Sequence, residues 1–361
     1  MKKQEEHFDV NDIGIPNGRF FGMPFRNNEC DVVLISIPWD ATVSYSEGTS
    51  KAPEKIIDAS VQVDLYDEEI AGSEKFKIGT DESTIEVEGQ LALVEEYIEF
   101  LNLNARSAAK KIIDRLSSGK PLTKNLLNLQ DAVNQTSIIV NNLVEASCKK
   151  YYEKNIIPGV VGGEHSVAFG AIQAAAHSLK RGEKLGVLQI DAHADLRDCY
   201  EGFEYSHASV MRNVVERIEN IEKLVQVGIR DFCADEAAYS SKNKKIIQFT
   251  DSAVSKRIFE GENWSEICKQ MSAALPKKVY VSFDIDGLEP SLCPNTGTPV
   301  PGGLSWNHAL YLLRVISREH TIVGFDLNEV APSKEGKDEW DANVGARMLH
   351  KLSLIASQSK R

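Results

Sequence analysis

The stretch LGVLQIDAHADL, residues 185–196, joins a short apolar run to an aspartate, a histidine and a second aspartate at alternate positions. Its first six residues read as a buried β-strand, because the apolar run is short and polar residues bound it at once. Six further segments share that character: 31–37 (DVVLISI), 156–163 (IIPGVVGG), 223–229 (KLVQVGI), 245–249 (KIIQF), 278–285 (KVYVSFDI) and 321–327 (TIVGFDL). Between them lie segments with helical periodicity, among them 166–180, 207–221, 264–275 and 305–320. Strand alternating with helix implies a parallel sheet covered on both faces. The expected fold is a three-layer α/β/α sandwich around about eight mostly parallel strands.

One region breaks this rhythm. Residues from about Glu86 to Lys154 are almost wholly helix-forming, with SSGKPLTK (117–124) as the clear break. The stretch is read as a helical insertion at about 86–154 within a single domain spanning 1–361. It either packs on the core or between subunits, or is a longer surface connection.

Composition excludes several classes. With 42% hydrophobic and 26% charged residues, the 361-residue chain has the makeup of a folded protein with a sizeable core. A formal net charge of −12 argues against a nucleic-acid partner and is compatible with a cationic ligand. No stretch approaches ~20 uncharged apolar residues, so no membrane span is expected. The segment MKKQEEHFDVNDIG lacks the apolar core of a secretory signal, and a cytoplasmic location is expected. Six scattered cysteines, none in a C-x-x-C pair, read as free thiols.

The polar residues beyond the strands carry the chemistry. Alternate strand positions face one way, so Asp191, His193 and Asp195 are expected to converge while Ala192 and Ala194 turn away, and Asp284 aligns with Asp286. Grouped buried carboxylates need a cation, because desolvation and mutual repulsion both oppose their charge. Oxygen donors with a few imidazoles and no thiolate favour a hard or borderline divalent ion such as manganese. His165, in VVGGEHSVAFG, follows two glycines at a third strand end and completes a set of six candidate ligands. One aspartate bridging from each acidic motif suits two metals ~3.5–4 Å apart, a geometry that activates water for hydrolysis. Glu329, in FDLNEVAPS, should reach the same cleft, and His207, at a predicted helix start, could shuttle protons. Histidines 7, 177, 308, 320 and 350 read as structural or surface residues.

Taken in order, GGEHS, DAHADL, SFDIDGLEPSLCPNTGTPVPGGLSW and GFDLNEVAPS resemble the ureohydrolases, the arginases and agmatinases that hydrolyse guanidino compounds to urea with two manganese ions. The resemblance runs from IPWDATVSYSEGTSKAPEKIIDAS to the last helix and is weakest between Glu86 and Lys154. It implies that His165, Asp191, Asp195 and Asp284 hold one Mn2+, and His193, Asp191, Asp284 and Asp286 the other. Other first-row divalent ions suit the same donors. It further implies that Asp195 passes a proton to the leaving amine, Glu329 pairs with the guanidinium and His207 relays protons to solvent. A homo-oligomer, trimer or hexamer, is also implied.

LRDCYEGFEYSHASVMRN is similar to the agmatinase version of the loop, and VGIRDFCADE has Cys233 where arginases place an aspartate that contacts the substrate α-amino group. A site without those contacts favours a small cationic guanidine without an α-carboxylate: agmatine, converted to putrescine and urea in polyamine biosynthesis. Arg197 leaves a guanidino acid open, and an arginase or another guanidine hydrolase is the first rival. A catalytically silent metal-binding regulatory protein on the same fold is the second.

Overall fold

The computed structural model describes residues 8–12, 14–333 and 339–361; the first seven residues, with His7, lie outside them. In chain order the elements are β1 (Val32–Ile37), α1 (Ala52–Ser60), β2 (Ile78–Thr80), β3 (Thr84–Val87), β4 (Gln90–Leu93), α2 (Val94–Ser117) and α3 (Lys124–Tyr152). There follow β5 (Ile157–Gly162), α4 (Ala168–Ser178), β6 (Leu185–Ile190), α5 (Val210–Arg217), β7 (Ile221–Val227), α6 (Ala234–Lys242) and β8 (Ile246–Phe249). The chain ends with α7 (Asp251–Phe259), α8 (Trp264–Ala273), β9 (Lys278–Asp284), α9 (Trp306–Glu319), β10 (Thr321–Asn328) and α10 (Trp340–Ser359).

Eight strands form one sheet in the order β2-β1-β5-β10-β9-β6-β7-β8, and every pairing in it is parallel. Both faces are covered, which explains why the strands read as continuous apolar runs. In β1, Val32 and Leu34 join an apolar cluster with α1, α8, α9 and α10. The alternating Val33, Ile35 and Ile37 join the cluster built by α2 to α5. The three-layer sandwich is therefore present, with its eighth strand supplied by the three-residue edge strand β2.

The region expected to be helical from Glu86 begins differently. Residues 84–93 form the antiparallel hairpin β3–β4, in register Thr84 with Leu93 and Val87 with Gln90. Its two-residue turn, Glu88–Gly89, has φ of 51° and 81°, the left-handed pair that matches the twist of a tight hairpin. This local turn overrides the helix propensity of the Leu and Ala residues that follow, and helix starts only at Val94. Helices α2 and α3 then pack on each other and on the layer containing α4. Among the described residues no helix is long and apolar enough to cross a membrane.

The strand order places β5, β10, β9 and β6 side by side at the centre of the sheet. Their carboxyl ends open on one edge, where chain order reverses direction across the sheet and a cleft forms in parallel α/β folds.

Candidate metal centre

At the end of β5 the chain passes close to the segment after β1. A Cβ on Gly163 would lie 2.1 Å from the Trp39 carbonyl oxygen, so only glycine fits. Glu164, fully buried, accepts from Thr42 N and Oγ1 (2.9 and 2.8 Å) and from Ser166 Oγ (2.6 Å). His165 follows, and its backbone N–H donates to Glu329 Oε1 at 2.9 Å. Its Nε2 meets Ser282 Oγ at 2.8 Å, and Ser282 donates to Asp326 at 2.9 Å. These bonds aim Nδ1 at three carboxylates: 3.0 Å from Asp191 Oδ2, 3.0 Å from Asp195 Oδ2 and 3.5 Å from Asp284 Oδ2.

Asp191 connects two donor groups. Its Oδ2 faces His165, while its Oδ1 lies 3.6 Å from His193 Nδ1. His193 Nδ1 is also 3.1 Å from Asp286 Oδ2. The sets His165, Asp191, Asp195 and Asp191, His193, Asp286 each gather their ligand atoms within 4.8 Å. Five of the six expected ligands fall in these sets, with Asp191 shared, and the sixth, Asp284, reaches the cluster through its 3.5 Å approach to His165 Nδ1.

The convergence does not come from simple strand alternation, as the spacing suggested. β6 ends at Ile190, His193 makes an isolated bridge with Asp231, and Asp195 sits at φ 54°. Asp284 closes β9, and Asp286 lies in the helical turn that Asp284 caps by accepting from Asp286 N at 2.8 Å. Ala192 N donates to Asp286 Oδ1 at 3.0 Å, tying the two motifs to each other. Ala192 and Ala194 do turn inward, both fully buried. Asp195 and Glu329 (φ 62°) share the left-handed conformation that non-glycine residues rarely adopt and that clusters at functional sites.

The electrostatics ask for cations. Burial, with Asp286, Asp191 and Glu329 nearby, pushes Asp284 well above the usual carboxylate range. Burial and Asp191 raise Asp195 to about 7. Burial opposes charge on His165 and His193, yet the surrounding aspartates push both well above the ordinary imidazole value. Among the described residues, the buried atoms His165 Nδ1 and Asp286 Oδ2 have no hydrogen-bond partner. Orphaned donor atoms aimed into a ring of carboxylates and imidazoles fit divalent metal, and the lack of thiolates suits manganese or a similar ion.

A cavity of about 170 Å³ opens onto this cluster, lined by His193, Asp195 and His207 with Ser44, Arg197, Tyr200, Asp231, Phe232, Glu236 and Thr298. Burial, with His193 and His165 nearby, lowers His207 to about 3, which keeps the ring neutral, and its Nδ1 has no hydrogen-bond partner among the described residues. Glu329 is buried below the adjacent loop, where a Cβ on Gly297 would lie 3.1 Å from its Oε2. Arg197 lies 3.9 Å from Glu236 and over the Tyr200 ring at 4.8 Å. His177 pairs with Glu145, His308 with Ser305, His320 with Ser272 and Pro276, and His350 packs on Phe21, none of them in the cluster.

Sequence reasoning passed over the groups that hold the ligands. Ser282 and Asp326 lie on β9 and β10, in the strands that carry Asp284 and lead to Glu329. A carboxylate inside the apolar run TIVGFDLN was the available signal, since such a residue needs a partner. Gln189 is of the same kind: fully buried, it donates to Asp191 Oδ2 at 2.7 Å.

A parallel α/β sheet with this His/Asp cluster at its central strand ends defines a metal-binding protein built for hydrolytic chemistry. Comparison with known proteins narrows the class. The Arginase family model matches residues 30–354. The N(1)-aminopropylagmatine ureohydrolase of Thermus thermophilus is 30% identical over 92% of this chain and 92% of its own. The protein of the same name from Synechocystis is 29% identical over 83% of this chain and 81% of its own. The crystal structure of agmatine ureohydrolase of Thermoplasma volcanium shares the fold, with a TM-score of 0.66 and 21% identity, covering 94% of each chain. The chain belongs to the arginase family and is a ureohydrolase.

Proposed function

We propose that the protein hydrolyses a small cationic guanidine to urea and an amine, with agmatine, yielding putrescine, as the first substrate. The observation that carries this reading is Asp191, whose two oxygens face His165 and His193 in two adjoining donor groups. His165, Asp191, Asp195 and Asp284 would hold one Mn2+, and His193, Asp191, Asp284 and Asp286 the second. Bound there, the ions supply a water acidic enough to attack at neutral pH and balance the carboxylate charge.

The chain's own groups do the rest. Asp195, which lines the cavity beside His165, would take a proton and hand it to the departing amine. His207, on the cavity wall, would relay that proton toward solvent. Glu329 pairs with the guanidinium, its carboxylate oriented by the His165 N–H.

Substrate choice follows from the walls. Of the cavity's carboxylates, Asp195 is assigned to a metal and Glu236 faces Arg197 at 3.9 Å, which leaves Asp231 to meet an ammonium. That balance favours an amine-bearing guanidine over a guanidino acid. The names of the two curated relatives favour a second, longer substrate, N(1)-aminopropylagmatine, whose extra ammonium suits exposed Asp231. A homo-oligomer, trimer or hexamer, is part of the proposal.

Urea release by the manganese-loaded protein from agmatine, N(1)-aminopropylagmatine, arginine and guanidinobutyrate, with a chelated control, tests the reading. Preference for arginine or guanidinobutyrate would overturn the wall argument, and no urea from any of them would favour the silent metal-binding alternative.

A further inference from the structure

Helices α2 and α3 enclose a small apolar core in which Ala109, Ile112 and Val133 meet one buried residue from outside the pair, Phe203. Phe203 belongs to the segment between Arg197 and His207 that walls the cavity. Tyr200 and Phe203 close a turn through two backbone hydrogen bonds of 3.1 and 2.8 Å. Tyr200 lines the cavity and meets the His207 ring edge-on, with centroids 5.8 Å apart. Helix α3 also bonds this segment directly: Asn134 Nδ2 donates to Gly202 O (3.3 Å) and its Oδ1 accepts from Glu204 N (3.0 Å). Gln130 Nε2 donates to Glu201 O at 3.5 Å. Gly202 has φ 82°, a left-handed conformation that favours glycine where the chain turns against α3.

Helix α2 grips the opposite wall. Asn102 and Asp40 exchange two hydrogen bonds of 2.9 Å, and the other Asp40 oxygen accepts from Gly48 N and Ser50 N. Arg106 donates to Val43 O at 2.6 Å and pairs with Glu47 at 3.0 Å. Ser44, inside this held segment, lines the cavity. The two walls join where His207 N donates to Thr42 Oγ1 at 3.4 Å.

We propose that the α2–α3 pair is a positioning element for the substrate cavity, with Phe203 as the plug that fixes the wall 197–208 against the wall 40–47. The inference rests on the reading of this cavity as the guanidine site. Phe203 touches no reacting group; it acts through Tyr200, which lines the cavity. The metal ligands stand on the central strand ends, so loss of the plug should loosen substrate recognition and leave metal retention intact.

The test compares full-length, manganese-loaded wild type with Phe203→Ala, Phe203→Leu and Asn134→Ala, by amide hydrogen exchange, metal analysis and steady-state kinetics with agmatine. Phe203→Ala is expected to speed exchange across 197–208 and raise KM about tenfold, with kcat within about threefold and metal content unchanged. Phe203→Leu should restore most of the KM. Asn134→Ala, which keeps the apolar plug, should loosen exchange at 201–204 and serves as the reporter if Phe203→Ala does not fold. Wild-type exchange across 197–208 together with a wild-type KM would overturn the proposal, as would loss of metal as the main effect. If wild type released no urea from any guanidine, the functional reading would fall, while the exchange comparison would still decide whether the helices hold this wall.

Discussion

Gln189 donates from Nε2 to Oδ2 of Asp191 at 2.7 Å, two residues apart across the end of β6. Gln226 Nε2 donates in turn to Gln189 Oε1 at 2.5 Å, and Gln248 Nε2 to Gln226 Oε1 at 2.9 Å. These three glutamines share one register across β6, β7 and β8. Their amides form a chain, buried at Gln189 and Gln226, ending on the carboxylate that the two donor groups share. Such outer partners fix the orientation of metal ligands, and their loss typically weakens metal binding ~10–100-fold. Gln189→Leu should therefore lower Mn2+ affinity by about that factor. Titration of the metal-free protein with Mn2+ reads it directly, and an unchanged affinity would show the ladder to be packing alone.

Asp286 has an oxygen, Oδ2, that is buried, without a hydrogen-bond partner among the described residues, and 3.1 Å from His193 Nδ1. Replacing it in Asp286→Asn should weaken the second metal and cut urea release by orders of magnitude. Wild-type rates from this variant, at one metal per chain, would sink the two-metal assignment.

Glu329 keeps its position through the His165 N–H, and the amide of Glu329→Gln retains that acceptor. The variant loses the charge, however, and with it a charge-assisted bond to the guanidinium. KM for agmatine should rise about tenfold or more while both metals stay bound. Unchanged kcat and KM together would remove Glu329 from the site.

His350 lies far from the cluster in the chain and is buried against Phe21, their ring centroids 5.3 Å apart. Burial first, then Lys351, lowers it from 6.5 to about 4, against the pull of Asp67. The unfolded chain binds this proton more readily than the folded one between these values. Stability from this group is complete above about 6.5 and falls by up to about 3 kcal/mol as pH drops toward 4. Denaturation measured at pH 7 and pH 4.5 should show a smaller acid loss in His350→Leu than in wild type. Equal losses would locate the acid sensitivity elsewhere.

The sequence showed the fold and the donors because both follow from local pattern. Seven of the eight sheet strands were legible as apolar runs, since burial on both faces leaves little polar residue to confuse them. β2 escaped because three residues at a sheet edge carry no periodicity. The β3–β4 hairpin escaped because Leu and Ala after the Glu88–Gly89 turn favour helix in isolation. His165, Asp191, His193, Asp195, Asp284 and Asp286 were legible as strand-end chemistry, although the bends at Asp195 and Asp286 were not.

By itself, then, the sequence determined the alternating architecture, the edge of the sheet that carries the site, and the donor set that suits two metals. Tertiary structure alone decided that Asp326 stands behind Ser282 and His165, that three glutamines line up behind Asp191, and that Phe203 lodges between α2 and α3. The physical reason is distance along the chain. Strand and helix signals are written within about ten residues, whereas these contacts join residues 22 to 117 apart and exist only once sheet register and helix packing bring them together.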